Sequence, residues 1–301
     1  PGQHFSSGSP RGAYGMLVFE TVKHAIDTAN LVDGPATIRV AKGSYTENVQ
    51  ADITNAVTLI SVDGAADTTL QQTIDTRHSI VQLGHPGCRV EGFTFSGHTT
   101  ASGDYNPVCG AVKITSEGGT LADCVIKSNK ANTYYARGTA VMLYGGVMDS
   151  CVIVSNTSAN SHAPVYLDGG SAPVEMRNCL VAHNQNSADA VFVAGDCKFR
   201  TLISNCTIAD NRASAGKTGY NALRISSQSA NDVTNVVVEN TIIVNNLCSG
   251  GTISYGYPNW MVSNAAMTNR FSNCLAAVPP NSSCITGEPQ FVDPGCLDYS
   301  A

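Results

Sequence analysis

The chain has 301 residues, of which 43% are apolar and 13% are charged, and its formal net charge is −6 at pH 7. This negative balance gives no reason to expect a nucleic-acid partner, and no apolar run is long enough to predict membrane insertion. A low charge content with many Asn, Ser, Thr and Gly is typical of a β-solenoid rather than of a cytosolic α/β enzyme.

The first predicted element is an amphipathic helix. Apolar residues recur at near-helical spacing from Phe19 to Val32, which predicts a helix within about residues 17–35 that caps the end of a solenoid. The stretches 36–49 and 56–61 read as the first strands. We expect one domain over residues 1–301, with coils over 36–278 and a tail over 279–301 packed on the last coils.

A short block then repeats along the chain. Each copy has a small polar residue, a Cys or similar residue, alternating apolar residues, and an Asn five places after the Cys. The copies begin at Asp123, Ser150, Asn178, Asn205 and Asn240. Including the weaker end copies at Phe93 and Cys274, successive copies are 27 to 35 residues apart, a period that indicates a repeat architecture.

Each repeat also contains other apolar alternations of period two, which indicate strands and not helices. The clearest ones are Val112–Ile114, Val141–Leu143, Val165–Leu167, Val191–Val193 and Leu223–Ile225. With about three short strands and no helical stretch per repeat, the pattern predicts an all-β fold. The predicted fold is a right-handed parallel β-helix with three-strand coils of about 27–35 residues each.

Stacked coils align equivalent residues in columns. One column is predicted to be an asparagine ladder at the turns, where the amides can bond one another: Asn129, Asn156, Asn184, Asn211 and Asn246. A second column shares the parity of inward isoleucines and is predicted to fill the core: Cys124, Cys151, Cys179 and Cys206. A metal-binding thiol ladder is disfavoured because no Cys-x-x-Cys or paired His accompanies these residues, so no metal is expected.

Six further cysteines lie outside that column or its end: Cys88, Cys109, Cys197, Cys248, Cys284 and Cys296. Secretion would permit disulfides among them. We consider Cys88–Cys109, and Cys284 with either Cys248 or Cys296, although spacing alone does not fix the connectivity.

Two segments carry a family resemblance. Ala25–Val49 resembles the helix-to-first-coil segment of secreted bacterial β-helix proteins in the pectin-lyase-like superfamily. Val238–Asn246 followed by Gly287–Pro294 is similar to the end of bacterial cell-surface β-helix proteins with a C-terminal anchor region. The resemblance implies a secreted or cell-surface location in a bacterium, and a chain that begins at Pro1 is expected to be mature or trimmed.

In enzymes of this superfamily the site usually lies on the outer face of one sheet, and the same positions here form a candidate glycan-binding face. Its residues are Lys113, Tyr144, Tyr166, Asp168, Phe192 and Arg224, with Met142 and Ser254 also outward. The preceding loops add Tyr134, Tyr135, His162, Asp189, Lys217 and Tyr220. Aromatic rings with a few polar groups suit sugars, and Lys113 and Arg224 suit acidic ones. The competing interpretation is a solvated sheet surface stabilised by cross-strand stacking.

Catalysis would need more than this face provides. A glycoside hydrolase needs two carboxylates that flank one bond, a pectin esterase needs paired Asp with Arg, and a lyase needs a base beside Ca²⁺ or Arg. Asp168 is the one outward carboxylate on these strands, so a partner would have to be Asp189 or Glu175. The sequence blocks typical of the superfamily's enzymes, such as Asp-Asp and Gly-His-Gly, are missing.

Two functional hypotheses follow. The first is a structural, adhesive or glycan-binding β-solenoid without a cofactor, whose partners are extracellular polysaccharide and further copies of itself through solenoid ends or sides. The alternative is a carbohydrate-active enzyme, foremost a polysaccharide lyase on acidic polysaccharide, with Ca²⁺ held by Asp168 and a loop acid such as Asp189.

Overall fold

The computed structural model describes residues 17–100, 110–132, 137–158, 163–186, 189–194, 197–213, 222–226, 235–246, 260–262, 270–276 and 278–287. Over these residues the chain is a right-handed parallel β-helix with one short helix at its start, which confirms the predicted fold class. No helix in this part of the chain is long and apolar enough to cross a lipid bilayer.

Two long parallel sheets run the length of the described solenoid, each with nine strands in that part of the chain. Sheet 1 contains β1 (Ala36–Val40), β4 (Val57–Ser61), β8 (Arg89–Glu91), β12 (Thr120–Ala122), β16 (Gly146–Asp149), β20 (Val174–Arg177), β24 (Thr201–Ser204), β28 (Val236–Glu239) and β31 (Phe271–Ser272). Sheet 2 contains β2 (Gly43–Thr46), β5 (Thr68–Gln71), β9 (Thr94–Ser96), β13 (Val125–Lys127), β17 (Val152–Val154), β21 (Leu180–Ala182), β25 (Thr207–Ala209), β29 (Ile242–Val244) and β32 (Leu275–Ala276).

A third sheet completes the core, and a fourth short one adds a strand to the central turns that the sequence pattern does not predict. Sheet 3 contains β3 (Ala51–Ile53), β7 (Val81–Leu83), β11 (Val112–Ile114), β15 (Val141–Leu143), β19 (Val165–Leu167), β23 (Val191–Val193), β27 (Leu223–Ile225) and β30 (Trp260–Val262). Sheet 4 contains β6 (Asp75–Thr76), β10 (Thr99–Thr100), β14 (Lys130–Ala131), β18 (Thr157–Ser158), β22 (Gln185–Asn186) and β26 (Arg212–Ala213). Two residues are too few to show an alternation, so these strands escape pattern recognition.

The left-handed turns between sheets 1 and 2 explain the small polar residue of each repeat. The residue before each Cys has a φ near +50°, where Asn, Asp and Ser are tolerated better than branched residues. This column comprises Asp123, Ser150, Asn178, Asn205, Asn240 and Asn273. A second left-handed position comes just before each ladder asparagine: Ser128, Ser155, His183, Asp210 and Asn245. Each left-handed residue turns the chain at the corner, and the ladder asparagine that follows it points inward and is buried.

The asparagine ladder is a buried column of amides. Asn129 Nδ2 donates to Asn156 Oδ1 at 3.0 Å, and Asn156 Nδ2 donates to Asn184 Oδ1 at 3.0 Å. The same bond joins Asn184 to Asn211 and Asn211 to Asn246, at 2.9 Å each. Each Nδ2 also donates to backbone carbonyls at the corner, so the buried polar groups are satisfied as burial requires.

A single helix, α1 (Val22–Ala29), covers the first turn and is shorter than the range 17–35 in which it was predicted. Thr21 caps it, because its Oγ1 accepts a hydrogen bond from the His24 N–H at 3.2 Å. Glu47, from the loop after β2, accepts from the Val22 N–H at 2.9 Å and from the Lys23 N–H at 3.3 Å. The buried face of α1 consists of Val22, Ala25, Ile26 and Ala29.

Among the described residues, a groove remains beside α1 at the first turn. A groove of about 790 Å³ lies between α1 and β1, and its apolar lining includes Leu17, Val18 and Ile38. In the described residues β1 pairs with β4 alone and leaves its other edge without a strand. Homo-assembly through solenoid ends remains a prediction that this edge makes geometrically accessible.

The suggested disulfides stay predictions, because each pairing includes a cysteine outside the described residues. Cys88 and Cys284 are both buried and free, whereas Cys109, Cys248 and Cys296 lie outside the described residues. Cys88 is part of the continuous hydrophobic core, and burial raises the pKa of its thiol. It therefore serves packing in the same way as the inward column of cysteines.

Candidate functional site

The candidate face lies on sheet 3, where the register brings its residues onto successive turns. Lys113 pairs with Met142, Met142 with Tyr166, Tyr166 with Phe192, and Phe192 with Arg224. Their neighbours on each strand point into the core, so the five side chains form one outward column. The spacing along the column is that of adjacent parallel strands, roughly 4.8 Å.

The centre of this column is an aromatic stack. The rings of Tyr166 and Phe192 are nearly parallel, with centroids 5.7 Å apart and planes 7° from each other. Tyr144 lies 6.0 Å from Tyr166 in a tilted arrangement. Tyr166 and Met142 are only 3% and 1% exposed, which differs from the solvated positions that the alternation predicts. The stacked faces are thus occupied by one another, and the aromatic residues form a stiff base rather than open platforms.

Three cations flank the stack. Lys113 Nζ lies 5.9 Å from the Tyr144 ring centroid, and Arg224 Cζ lies 5.6 Å from that of Phe192. Arg137, from the segment before β15, lies 5.5 Å from the Tyr166 ring centroid. These distances are within the range of cation–π attraction. The sequence patterns did not single out Arg137, because it precedes the strand and belongs to neither repeated alternation.

The Tyr166 hydroxyl joins two charged groups. Arg137 Nη1 donates to Tyr166 Oη at 3.0 Å, and the hydroxyl donates to Asp168 Oδ2 at 3.3 Å. Asp168 Oδ1 accepts from the Gly170 N–H at 2.9 Å. Burial, followed by the negative charge of Asp168, raises the pKa of Tyr166 well above its ordinary value. The phenol therefore stays protonated at neutral pH and is a poor general base.

Asp189 and Arg224 form a partly buried ion pair. Arg224 Nη1 lies 3.9 Å from Asp189 Oδ2, and Asp189 has no solvent exposure, whereas 36% of the Arg224 side chain is exposed. An opposite charge at this distance offsets part of the cost of burying a carboxylate. Asp189 therefore anchors Arg224 at the end of the aromatic stack.

The two carboxylates of this face are not arranged as a hydrolytic pair. Leu167 pairs with Val193, so Asp168 is level with Ala194, five positions beyond Asp189. Five strand positions correspond to roughly 16 Å, which exceeds the separation that hydrolytic carboxylate pairs use. Glu175, the other partner that the sequence allowed, lies on sheet 1 with Arg177 and Arg200. Neither pairing supports a glycoside hydrolase centre.

A calcium site at Asp168 and Asp189 has the same geometric difficulty. The described residues contain no group of three His, Cys, Asp or Glu side chains placed to hold a metal ion. Asp168 is hydrogen-bonded instead to Gly170 and Tyr166, and Asp189 is ion-paired with Arg224. The loop candidates Tyr134, Tyr135, His162, Lys217 and Tyr220, together with Ser254, lie outside the described residues.

No protein-family model and no curated protein matches the chain. Solved structures do match. One is a pectin methylesterase mutant in complex with a hexasaccharide, at 14% identity over 90% of this chain and 89% of that one, with a TM-score of 0.51. Pectin methylesterase PemA from Erwinia chrysanthemi matches at 13% identity over the same shares, with a TM-score of 0.50. Another pectin methylesterase–hexasaccharide complex matches at 12% identity, with a TM-score of 0.50.

The chain therefore has the pectin-lyase-like right-handed parallel β-helix fold. Among solved proteins of this class it is similar to pectin methylesterases over most of its length. At this level of identity the likeness shows the fold and leaves the activity to be argued from the residues.

Proposed function

We propose that this chain is a carbohydrate-binding β-helix protein that holds an acidic polysaccharide along the outer face of sheet 3. The observation that carries the proposal is the alignment of Lys113, Arg137 and Arg224 beside one aromatic column on successive turns. The cations would pair with carboxylates of the glycan, and Tyr166 and Phe192 hold them in place from beneath.

The local charge supports an anionic ligand although the whole chain is acidic. Asp189 is fully buried against Arg224, and Asp168 is bonded to Tyr166 and Gly170. Positive groups therefore dominate the outward surface of this column, and Arg224 keeps about a third of its side chain open to solvent. A local positive patch on a negatively charged protein selects ligands by charge and raises their rate of encounter.

The fold comparisons favour a carbohydrate-related role over a purely structural one. Two of the similar pectin methylesterases were solved with hexasaccharides bound. We therefore include polysaccharide binding in the proposal for this chain. A secreted or cell-surface location, where extracellular polysaccharide is present, is also part of the proposal.

The test is a comparison of binding to polygalacturonate and to neutral dextran by calorimetry. Because each cation pairs with separate carboxylates, we expect Lys113→Ala and Arg224→Ala each to weaken binding about three- to tenfold, and added salt to weaken it further. Arg200→Ala is the matched control, since Arg200 is an exposed arginine paired with Glu175 on sheet 1. Equal affinity for dextran, or equal losses in the control, would contradict the proposal.

A second candidate is a carbohydrate-active enzyme with its centre at Tyr166. The observation that favours it is the continuous hydrogen-bonded chain Arg137–Tyr166–Asp168, in which a partly exposed carboxylate lies beside a cation-bound phenol. Arg137 would neutralise a uronate carboxylate and Asp168 would move a proton. A lyase would add Ca²⁺, for which the described residues offer no assembled site.

Enzymatic turnover is tested by following unsaturated products, reducing ends and released methanol from acidic and methylated polysaccharides, with and without Ca²⁺. Tyr166→Phe keeps the ring stack and removes the hydroxyl, and Asp168→Asn removes the charge. Turnover that both variants abolish while glycan affinity is retained would establish the enzyme. Wild-type protein that binds the glycan and leaves it chemically unchanged would establish binding alone.

A further inference from the structure

The last described turn of the solenoid brings two cysteines onto neighbouring levels. Ile285 forms a parallel bridge with Leu275. The Ile285 N–H donates to the Cys274 carbonyl at 2.8 Å, and the Ala276 N–H donates to the Ile285 carbonyl at 3.1 Å. The residues just before the bridge, Cys274 and Cys284, are therefore aligned on adjacent levels.

The backbone spacing suits a disulfide. Adjacent parallel strands are about 4.8 Å apart, which falls within the Cα separations that disulfides span. Both cysteines are free thiols in the structure. Burial raises the pKa of the Cys274 thiol to about 11, and the neighbouring Cys284 sulfur contributes to this rise.

Cysteines in the preceding turns are aligned in the same way, but the strands around them hold them more rigidly. Cys179 lies between Cys151 and Cys206, and the strands that follow these cysteines pair in register above and below it. Its thiol donates to the Arg177 carbonyl, as the Cys274 thiol does to the Ser272 carbonyl, so the difference between the two sites lies in the paired strands on both sides of Cys179. Cys284 lies outside any assigned strand, and its segment is joined to the turn below by the Leu275–Ile285 bridge and by hydrogen bonds from Asn273 to Ser283 and from Asn281 and Ser283 to the Phe271 carbonyl. Its segment lacks the continuous strand pairing that follows Cys179, so fewer ladder hydrogen bonds change when the sulfurs approach bonding distance.

We propose that Cys274 and Cys284 form a disulfide that staples the segment around Ile285 to the preceding turn in an oxidising environment. Cys284 is the entry point because it is 7% exposed, whereas Cys274 is fully buried. The Cys284 thiolate attacks a small disulfide such as oxidised glutathione and releases one glutathione thiolate. Cys274 then loses its proton and attacks the Cys284 sulfur, which releases the second glutathione. One small disulfide is thereby reduced to two thiols as the protein pair is oxidised.

The staple would fix a segment that would otherwise open easily. Segments joined to a sheet by an isolated bridge open at lower free-energy cost than strands paired on both sides. A bond between Cys274 and Cys284 closes a short loop and ties the bridge at Leu275 to the core below it. This inference is independent of the proposed glycan binding, because the pair lies on sheet 2 and not on sheet 3.

The test incubates the folded, reduced wild-type protein with oxidised glutathione and maps the bonds by mass spectrometry of unreduced peptides. We expect one Cys274–Cys284 cross-link and a mass loss of about 2 Da, which corresponds to two hydrogens. Hydrogen exchange of the Ile285 and Ala276 amides should slow by about tenfold after oxidation.

Cys284→Ser and Cys206→Ser are matched variants. Cys284→Ser should lose both the cross-link and the slowed exchange, whereas Cys206→Ser should keep both. Two free thiols at equilibrium, a stable glutathione adduct on Cys284, or a bond from Cys284 to Cys248 or Cys296 would each overturn the proposal. These outcomes are read from wild-type protein, so they do not depend on the folding of any variant.

Discussion

Each asparagine of the ladder has more hydrogen-bond partners than an isolated side chain could find. Asn184 Oδ1 accepts from both the N–H and the Nδ2 of Asn156, and Asn184 Nδ2 donates to Ile153, Ala182 and Asn211. Because all of these atoms are buried, the loss of one side chain leaves several polar groups without partners. The cost of such groups exceeds the net gain of the bonds themselves.

We therefore expect Asn184→Ala to lower the free energy of unfolding by about 3 kcal/mol, measured by urea denaturation. Gln185→Ala is the control, since Gln185 is the next residue and is exposed. A loss below about 1 kcal/mol would mean that the ladder contributes little beyond its volume.

The cysteine column has a polar role besides packing. Cys124, Cys179 and Cys206 each donate a weak hydrogen bond to the carbonyl two residues earlier, at 3.1 to 3.2 Å. In the repeat that has Thr instead of Cys, Thr241 Oγ1 makes the same bond to the Glu239 carbonyl at 2.9 Å. The shared requirement is a small side chain with a donor, which explains why Thr replaces Cys.

Substitutions at Cys179 separate packing from hydrogen bonding. Cys179→Ala removes volume and donor, and should cost about 2 kcal/mol by urea denaturation. Cys179→Ser keeps the donor and should cost about half as much. Equal losses for the two variants would show that the thiol acts through its volume alone.

At the scale of the element, α1 depends on a residue far from it in sequence. Glu47 accepts from two N–H groups in the first turn of the helix, where such groups lack partners. Burial raises the pKa of Glu47, although the bonds from Lys23 and Val22 oppose this rise. A raised folded pKa means that this carboxyl stabilises the fold most below its unfolded pKa, and that this contribution declines as pH rises through the folded value.

Glu47→Gln should therefore be at least as stable as the wild type at pH 7, because it keeps the acceptor and removes the buried charge. Its stability should also lose the decline that the wild type shows as pH rises from about 4.5. Glu47→Ala should cost about 1–2 kcal/mol, because the Val22 and Lys23 N–H groups lose their acceptor. Thermal unfolding between pH 4 and pH 8 measures all three proteins, and a Gln variant weaker than Ala would contradict this account.

Pattern recognition succeeded where strands alternate over three residues or more, as in Val165–Leu167, which is a strand with those bounds. Pattern recognition failed where the position of a side chain depends on contacts between turns that are distant in sequence. The burial of Tyr166 and the position of Arg137 above its ring depend on contacts across turns. One missed feature did leave a signal: His98 follows Phe93 by five places, as each ladder Asn follows its Cys. Its N–H donates to Asn129 Oδ1, so it extends the polar column.

At the scale of the molecule, the repeat makes whole turns interchangeable. Ser150 and Asn178 occupy the same left-handed position one turn apart. Deletion of residues 151–178 therefore joins equivalent points and removes one complete turn, and the remaining columns stay in phase. Stability in such arrays depends on the contacts between neighbouring turns.

We expect this in-phase deletion to fold as a soluble β-helix about 4.8 Å shorter, measured by small-angle scattering, with an unchanged circular dichroism shape. Deletion of residues 151–164 removes part of a turn and misaligns the columns, so that variant should fail to fold. The repeat would not be the structural unit if both deletions behaved alike.

The amide column also has an electrical direction. In the bonds between ladder amides, the Nδ2 atoms of Asn129 to Asn211 each donate to the Oδ1 of the amide one turn closer to the C-terminus. The side-chain dipoles therefore add, and hydrogen bonds in such a chain polarise one another. The ladder is therefore a polar column whose C-terminal end is relatively positive, and each added turn lengthens its dipole without changing its sign.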